Sequence, residues 1–276
     1  MVVIPIDDPS DDRVADYVGL TDAAARRQGV VIAEGVLVIR QLLRSPYRPR
    51  SLLVTPARLR DLAGDLAALG VAADLPVYLA GREVIGSVVG FDLHRGAVAA
   101  ADRLAPTALD RLLAGSAERR ASPRLVAVVE ASNDHENLGA LFRNATALGV
   151  DAVLLSPSCA DPLYRRSVRV SMGHVLHLPF ARLDDWEVGL GRLTAAGFTI
   201  VALTPDPAAL PLGQLDPADP AFARLAILVG AEGPGLTGQA LARAHHRARI
   251  PMTAGVDSLN LATAAAIAFH HFARQP

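Results

Sequence analysis

Three polar clusters, far apart in the chain, hold the residues best able to do chemistry. The first runs Glu130-Ala131-Ser132-Asn133-Asp134-His135-Glu136-Asn137-Leu138-Gly139 and leads on to Arg143 and Asn144. The second is Gly230-Ala231-Glu232-Gly233-Pro234-Gly235-Leu236. The third joins Ile250-Pro251-Met252-Thr253-Ala254-Gly255 to Val256-Asp257-Ser258-Leu259-Asn260. A guanidinium such as Arg143 offers a rigid fork of donors to phosphate or carboxylate. Polar side chains and backbone amides at a helix N-terminus favour anions and oriented polar ligands. Glycines after a strand let a flat ligand lie against bare backbone. Plainer readings stand beside these: Asp257 or Ser258 as an N-cap, Asn137 as another, Arg143 as a surface residue. The glycine cluster looks like a dinucleotide loop, yet Glu232 stands where the fingerprint needs its second glycine. A carboxylate there would crowd a pyrophosphate, which argues against NAD or FAD.

The surrounding residues supply the elements that must position these groups. Apolar runs at 125–129, 152–155, 199–203 and 225–229 read as strands. Stretches 137–148, 162–170, 186–196 and 237–245 read as helices. Leu138, Leu141, Phe142, Ala145 and Leu148 form one apolar stripe, which leaves Arg143 facing a cleft or solvent. Residues 249–251 look strand-like. The helix from Leu261 to Ala273 is apolar on every side up to Phe269 apart from Thr263, as a buried helix would be. Its alanines keep it slim enough for other backbones to approach. Alternating strand and helix predict a parallel sheet covered on both faces, with ligands beyond the carboxyl ends of its strands.

Residues 1–104 read as a separate small α/β unit. Helices are expected over 23–28, 36–43 and 57–69, and strands at 30–35, 51–55, 77–80 and 96–101. Arg40, Arg44, Arg48 and Arg50 thicken one part of it, either as a solvated face or as contacts to RNA phosphates. Residues 105–123, with Pro106, Ser116 and Glu118-Arg119-Arg120, read as a helix plus connector, and 124–276 as the second domain.

Composition narrows the choice of chemistry. All 27 basic residues of the 276 are arginine, so no Walker lysine, Schiff-base lysine or kinase-type lysine exists here. A net charge of -1 means that a nucleic acid must be held by a local arginine patch. Cys159 is the single cysteine, which excludes a disulfide framework within the chain and a cysteine-rich zinc site, and suits a reducing cytosol. No metal is expected. Residues 1–12 are acidic and lack a signal-peptide pattern, and no apolar run is long enough to span a membrane. A cytoplasmic protein is expected.

The three clusters occur in a fixed order: Asn137-x-Gly139-x-x-x-Arg143-Asn144-Ala145, then Gly230-x-Glu232-Gly233-x-Gly235, then Ile250-Pro251-Met252 with Ser258-Leu259-Asn260. Together they resemble the TrmH/SpoU family of SPOUT methyltransferases, over roughly residue 125 to the end. The first hundred residues are similar, more loosely, to the ribosomal-protein-like (L30e-like) substrate-binding domain that often precedes that catalytic domain. Departures from the family pattern are mild: Leu261-Ala262-Thr263 where Val-Ser-Val is commoner, and Asn144 where Thr or Ser often sits.

The resemblance implies a parallel sheet whose C-terminal segment makes a trefoil knot, which sequence reasoning alone would not propose because knots are so rare. It implies transfer of a methyl group from S-adenosyl-L-methionine to a ribose 2′-hydroxyl of rRNA or tRNA, by a homodimer. By motif, Arg143 is the catalytic arginine, and Asn137, Glu232, Ser258 and Asn260 are its active-site companions. The methyl donor is expected on Leu203, Thr204, Leu228, Gly230, Glu232, Gly233, Ile250, Met252, Ser258 and Leu259. Arg143 either takes the hydroxyl proton, or only polarises the hydroxyl or grips the adjacent phosphate. Arg40, Arg44, Arg48, Arg165, Arg166 and Arg169 are the expected RNA contacts. Rival readings are an open Rossmann methyltransferase, disfavoured because no glycine-rich loop precedes Gly230, and a catalytically inactive RNA-binding module.

Overall fold

A computed structural model describes residues 2–68, 74–90, 93, 95–114, 122–253 and 256–273. The expected connector residues Ser116 and Glu118-Arg119-Arg120 lie outside the described residues, as do Leu69, Ala254 and Gly255. The chain divides into two compact units, Met1–Ala105 with Asp161–His177, and Pro106–Ala160 with Leu178–Pro276.

The first unit contains β1 (Val2–Pro5), α1 (Asp22–Gln28), β2 (Val30–Glu34), α2 (Val36–Leu43), β3 (Pro49–Val54), α3 (Pro56–Ala68), β4 (Pro76–Leu79), α4 (Arg82–Val89) and β5 (Ala97–Asp102). Its sheet runs β1-β4-β3-β5-β2, with β5 antiparallel to both neighbours and the other pairs parallel. Val30, Ile32, Leu53, Ile85 and Val98 anchor its core. The sequence reading lacked β1 and α4, whose four and eight residues carry too little periodic signal to stand out.

The second unit contains α5 (Leu109–Ala114), β6 (Leu125–Glu130), α6 (His135–Ala147) and β7 (Ala152–Leu155). After β7 the chain contributes α7 (Arg165–Val170) to the first unit. It then adds to the second β8 (Phe180–Arg182), α8 (Trp186–Ala195), β9 (Thr199–Leu203), β10 (Leu210–Pro211), β11 (Leu225–Gly230), α9 (Gly238–Arg243), β12 (His246–Arg249) and α10 (Leu261–Phe272). The seven-stranded sheet runs β10-β12-β9-β11-β6-β7-β8, and every pairing is parallel. Such a sheet is covered by helices, so its strands read as continuous apolar runs, as Leu125 to Val129 and Leu225 to Val229 do here. β11 inserts between β9 and β6, and β12 between β10 and β9. The carboxyl ends of β9, β11 and β12 therefore lie side by side.

Two expectations about the C-terminal region are corrected. The strand before the third cluster ends at Arg249, because Pro251 lacks the N–H that a ladder needs. The last helix is buried on one side only: Leu261, Ala262, Ala265, Ala268 and Phe269 are buried, while Thr263, Ile267 and His270 are exposed. Those three stand at i, i+4 and i+7, one face of the helix.

Candidate functional site

The first cluster begins with a cap. Asp134 accepts from the backbone N–H groups of Glu136 at 2.6 Å and Asn137 at 3.1 Å, so Asp134, and not Asn137, caps α6. This leaves the Asn137 amide free for other work inside the first turn. The third cluster is capped at its far end. Asn260 Oδ1 accepts from Ala262 N–H at 3.0 Å and Thr263 N–H at 3.2 Å, so the cap of α10 is neither Asp257 nor Ser258.

The other end of the Asn260 side chain joins all three clusters. Its Nδ2 donates to Asn137 Oδ1 at 2.6 Å and to Glu232 Oε1 at 2.8 Å, and Leu261 N–H also donates to Glu232 Oε1, at 3.3 Å. A second tie binds the helices: Asn144 Nδ2 donates to the Ala262 carbonyl at 3.1 Å. Arg143, six residues beyond Asn137 on α6, is exposed and forms no ion pair with a carboxylate among the described residues.

Beside this hub a cavity of about 180 Å³ opens at the carboxyl ends of β9, β11 and β12. Of the ten expected donor contacts, Leu203, Thr204, Gly230, Glu232, Gly233, Ile250, Met252, Ser258 and Leu259 line it. Leu228 does not: it is fully buried in β11, and its neighbour Val229 reaches the cavity instead. Pro205, Ala231, Gly235, Ala248, Leu261 and Ala264 complete the wall. Gly230 is required by packing, since a Cβ there would stand 2.4 Å from the Gly235 carbonyl carbon. Gly233 and Gly235 take φ of +87° and +68°, conformations open to glycine at little cost.

Sequence reasoning quoted Glu130 but gave it no role, and it missed Thr237. Glu130 is 4% exposed at the end of β6, and its two carboxylate oxygens accept from Thr237 N–H at 2.9 Å and Thr237 Oγ1–H at 2.8 Å. A buried carboxylate directly after an apolar strand was the available signal.

The expected RNA contacts all lie in the first unit. Arg40 and Arg44 hold Asp65 at 2.7 and 3.1 Å, and Arg165 and Arg169 face the buried Glu34 at 3.7 and 3.6 Å. Arg48 and Arg166 are exposed.

An all-parallel α/β sheet with a small-molecule cavity at adjacent strand ends, and a three-way polar hub on its rim, defines a ligand-binding α/β protein. More particularly, the chain belongs to the SpoU rRNA methylase family, whose profile matches residues 124–270. It is 47% identical over 272 residues to an uncharacterized tRNA/rRNA methyltransferase of Mycobacterium tuberculosis, a span covering 97% of this chain and 90% of that protein. It is 29% identical over 221 residues to the 23S rRNA (guanosine-2′-O-)-methyltransferase RlmB of Coxiella burnetii, covering 79% of this chain and 83% of that one. An AdoMet-bound rRNA methyltransferase from Sinorhizobium meliloti has a similar structure, with a TM-score of 0.79 at 25% identity, covering 97% of this chain and 96% of that one.

Proposed function

We propose that this chain transfers a methyl group from S-adenosylmethionine to a ribose 2′-hydroxyl of rRNA or tRNA. The observation that carries the reading is the Asn260 amide, which joins Asn137 and Glu232 at the rim of the strand-end cavity. The cavity's chemistry fits the methyl donor. Leu203, Ile250, Met252, Leu259 and Leu261 offer apolar surface for the faces of an adenine ring. Among the described residues the lining carries the Glu232 carboxylate and no cationic side chain, which suits a ligand with a positive sulfonium centre.

When bound, S-adenosylmethionine supplies an activated methyl group. The chain's own residues have to align an RNA oxygen with that group, and orientation accounts for much of the barrier. Arg143 is a donor-only fork, suited to gripping a phosphate bidentately or polarising the neighbouring hydroxyl. Asn137 and Asn260 hold the site's polar edge in one geometry, and Ser258 supplies a hydroxyl on the cavity wall.

In this reading the segment after β12 forms a trefoil knot, supported by the late insertion of β11 and β12 between other strands and by the packing of α10 against α6 and β11. Residues 1–104 form an L30e-like RNA-binding domain, 105–123 a linker and 124–276 the catalytic domain, except that Asp161–His177 belongs with the first compact unit. Arg48 and Arg166 are exposed and make no ion pair with a described carboxylate, which leaves them open to RNA in this reading. Arg40 and Arg44 share the half-buried Asp65, so only the more exposed Arg44 is readily turned to a phosphate. Arg165 and Arg169 are held nearer the buried Glu34. The exposed Thr263-Ile267-His270 face of α10 supports a homodimer. No described helix is long and apolar enough to cross a membrane. An RNA substrate supports a cytoplasmic setting in this reading.

Calorimetry with S-adenosylmethionine and a labelled-methyl assay on total rRNA and tRNA test the reading. The expected result is donor binding, with label recovered in 2′-O-methylated nucleosides. Absence of donor binding rejects the reading. Donor and RNA binding without transfer would make the chain an inactive RNA-binding module.

A further inference from the structure

We infer that Glu130 is a positioning residue for the methyl-donor cavity, acting as a latch on the loop that forms one wall of it; this rests on the methyltransferase reading. The loop runs from Gly230, the last residue of β11, to Thr237, the N-cap of α9. Ala231, Glu232, Gly233 and Gly235 of that loop line the cavity. It is folded tightly on itself, with Gly235 N–H donating to the Ala231 carbonyl at 3.0 Å and Gly235 packed on Gly230.

Two side chains hold this loop, one at each end. At its tip Glu232 is tied to Asn260 and Leu261. At its base Glu130, which stands opposite Gly230 in parallel register, reaches across to Thr237 and occupies both carboxylate oxygens there. Thr237 Oγ1 in turn accepts from Ala240 N–H at 3.2 Å, so the same hydroxyl closes the first turn of α9. Glu130 thus fixes where the returning limb of the loop leaves the sheet. It lines no part of the cavity itself. A buried carboxylate is stable here only while both donors are supplied. Loss of either partner lets the limb drift, carries Glu232 away from Asn260 and opens the wall.

The latch predicts how substitutions divide between binding and turnover. Glu130→Ala and Thr237→Val should each raise the S-adenosylmethionine Kd and KM about tenfold, the loss expected for a charge-assisted hydrogen bond. The kcat at saturating donor should stay within about threefold. Thr237→Ser keeps both donors and should behave as wild type. In the Glu130→Ala/Thr237→Val double variant the Kd should rise no further than in the worse single variant, because one contact is being removed twice. Additive effects, or a lowered unfolding temperature with unchanged KM, would overturn the inference and leave Glu130 as a fold residue only. Wild-type protein that binds no donor would instead reject the methyltransferase reading, so the two failures are distinct.

Discussion

Asn260 and Arg143 divide the work of the site between geometry and charge. Asn260 spends its oxygen on the α10 cap and its nitrogen on Asn137 and Glu232, so no hydrogen-bonding group of the amide is spare. Arg143 is exposed and unclaimed by any described carboxylate, so in the proposed reading its donors are available to RNA. Arg143→Ala should lower methyl transfer at least about a hundredfold, as removal of a charge-stabilising donor does. Its S-adenosylmethionine Kd by calorimetry should change less than about twofold, because Arg143 lines no part of the cavity. Undiminished transfer by Arg143→Ala would remove it from the chemistry. The types and order of these residues were visible in the sequence. Their mutual contact was not, because Asn260 meets a partner 123 positions away and another 28 away.

Among the elements, α10 has two faces with two tasks. Its buried face packs against α6 and β11, bringing the Asn260 cap to the cavity rim. Its outer face exposes Thr263, Ile267 and His270, with Ile267 39% exposed. A sequence apolar up to Phe269 apart from Thr263 hid this asymmetry, since alanines fit either a core or an interface between slim helices. If the outer face joins two copies, Ile267→Asp should shift sedimentation from dimer to monomer and weaken self-association by at least about tenfold. The far-UV spectrum should be unchanged. A variant that sediments as wild type would move the interface elsewhere.

At the scale of the whole molecule, stability should respond to pH through His177. Its ring is half-buried and its Nε2 lies 3.0 Å from the Gln41 carbonyl, within the first unit. Burial lowers its pKa below 6.5, against the opposing effect of that hydrogen bond. The neutral ring is thus favoured by folding. Its contribution is present above the unfolded pKa of 6.5 and is lost as pH falls below that value through the lowered folded pKa. Urea midpoints measured at pH 7.5 and 5.5 should fall further for wild type than for His177→Gln. Equal losses would show that other groups set the acid limit.

The local pattern of the chain was enough to identify the parallel sheet, most strand positions and the residue types of the site. Buried strands and amphipathic helices write their periodicity directly into neighbouring residues. It did not reveal that Asn260, in place of Asp257 or Ser258, caps α10, that Leu228 faces the core while Val229 faces the cavity, or that Glu130 bonds Thr237. Each of those depends on which side of the sheet a residue meets and on a partner distant in the chain. Only the packed sheet, with β11 set between β9 and β6, brings those partners within hydrogen-bonding reach.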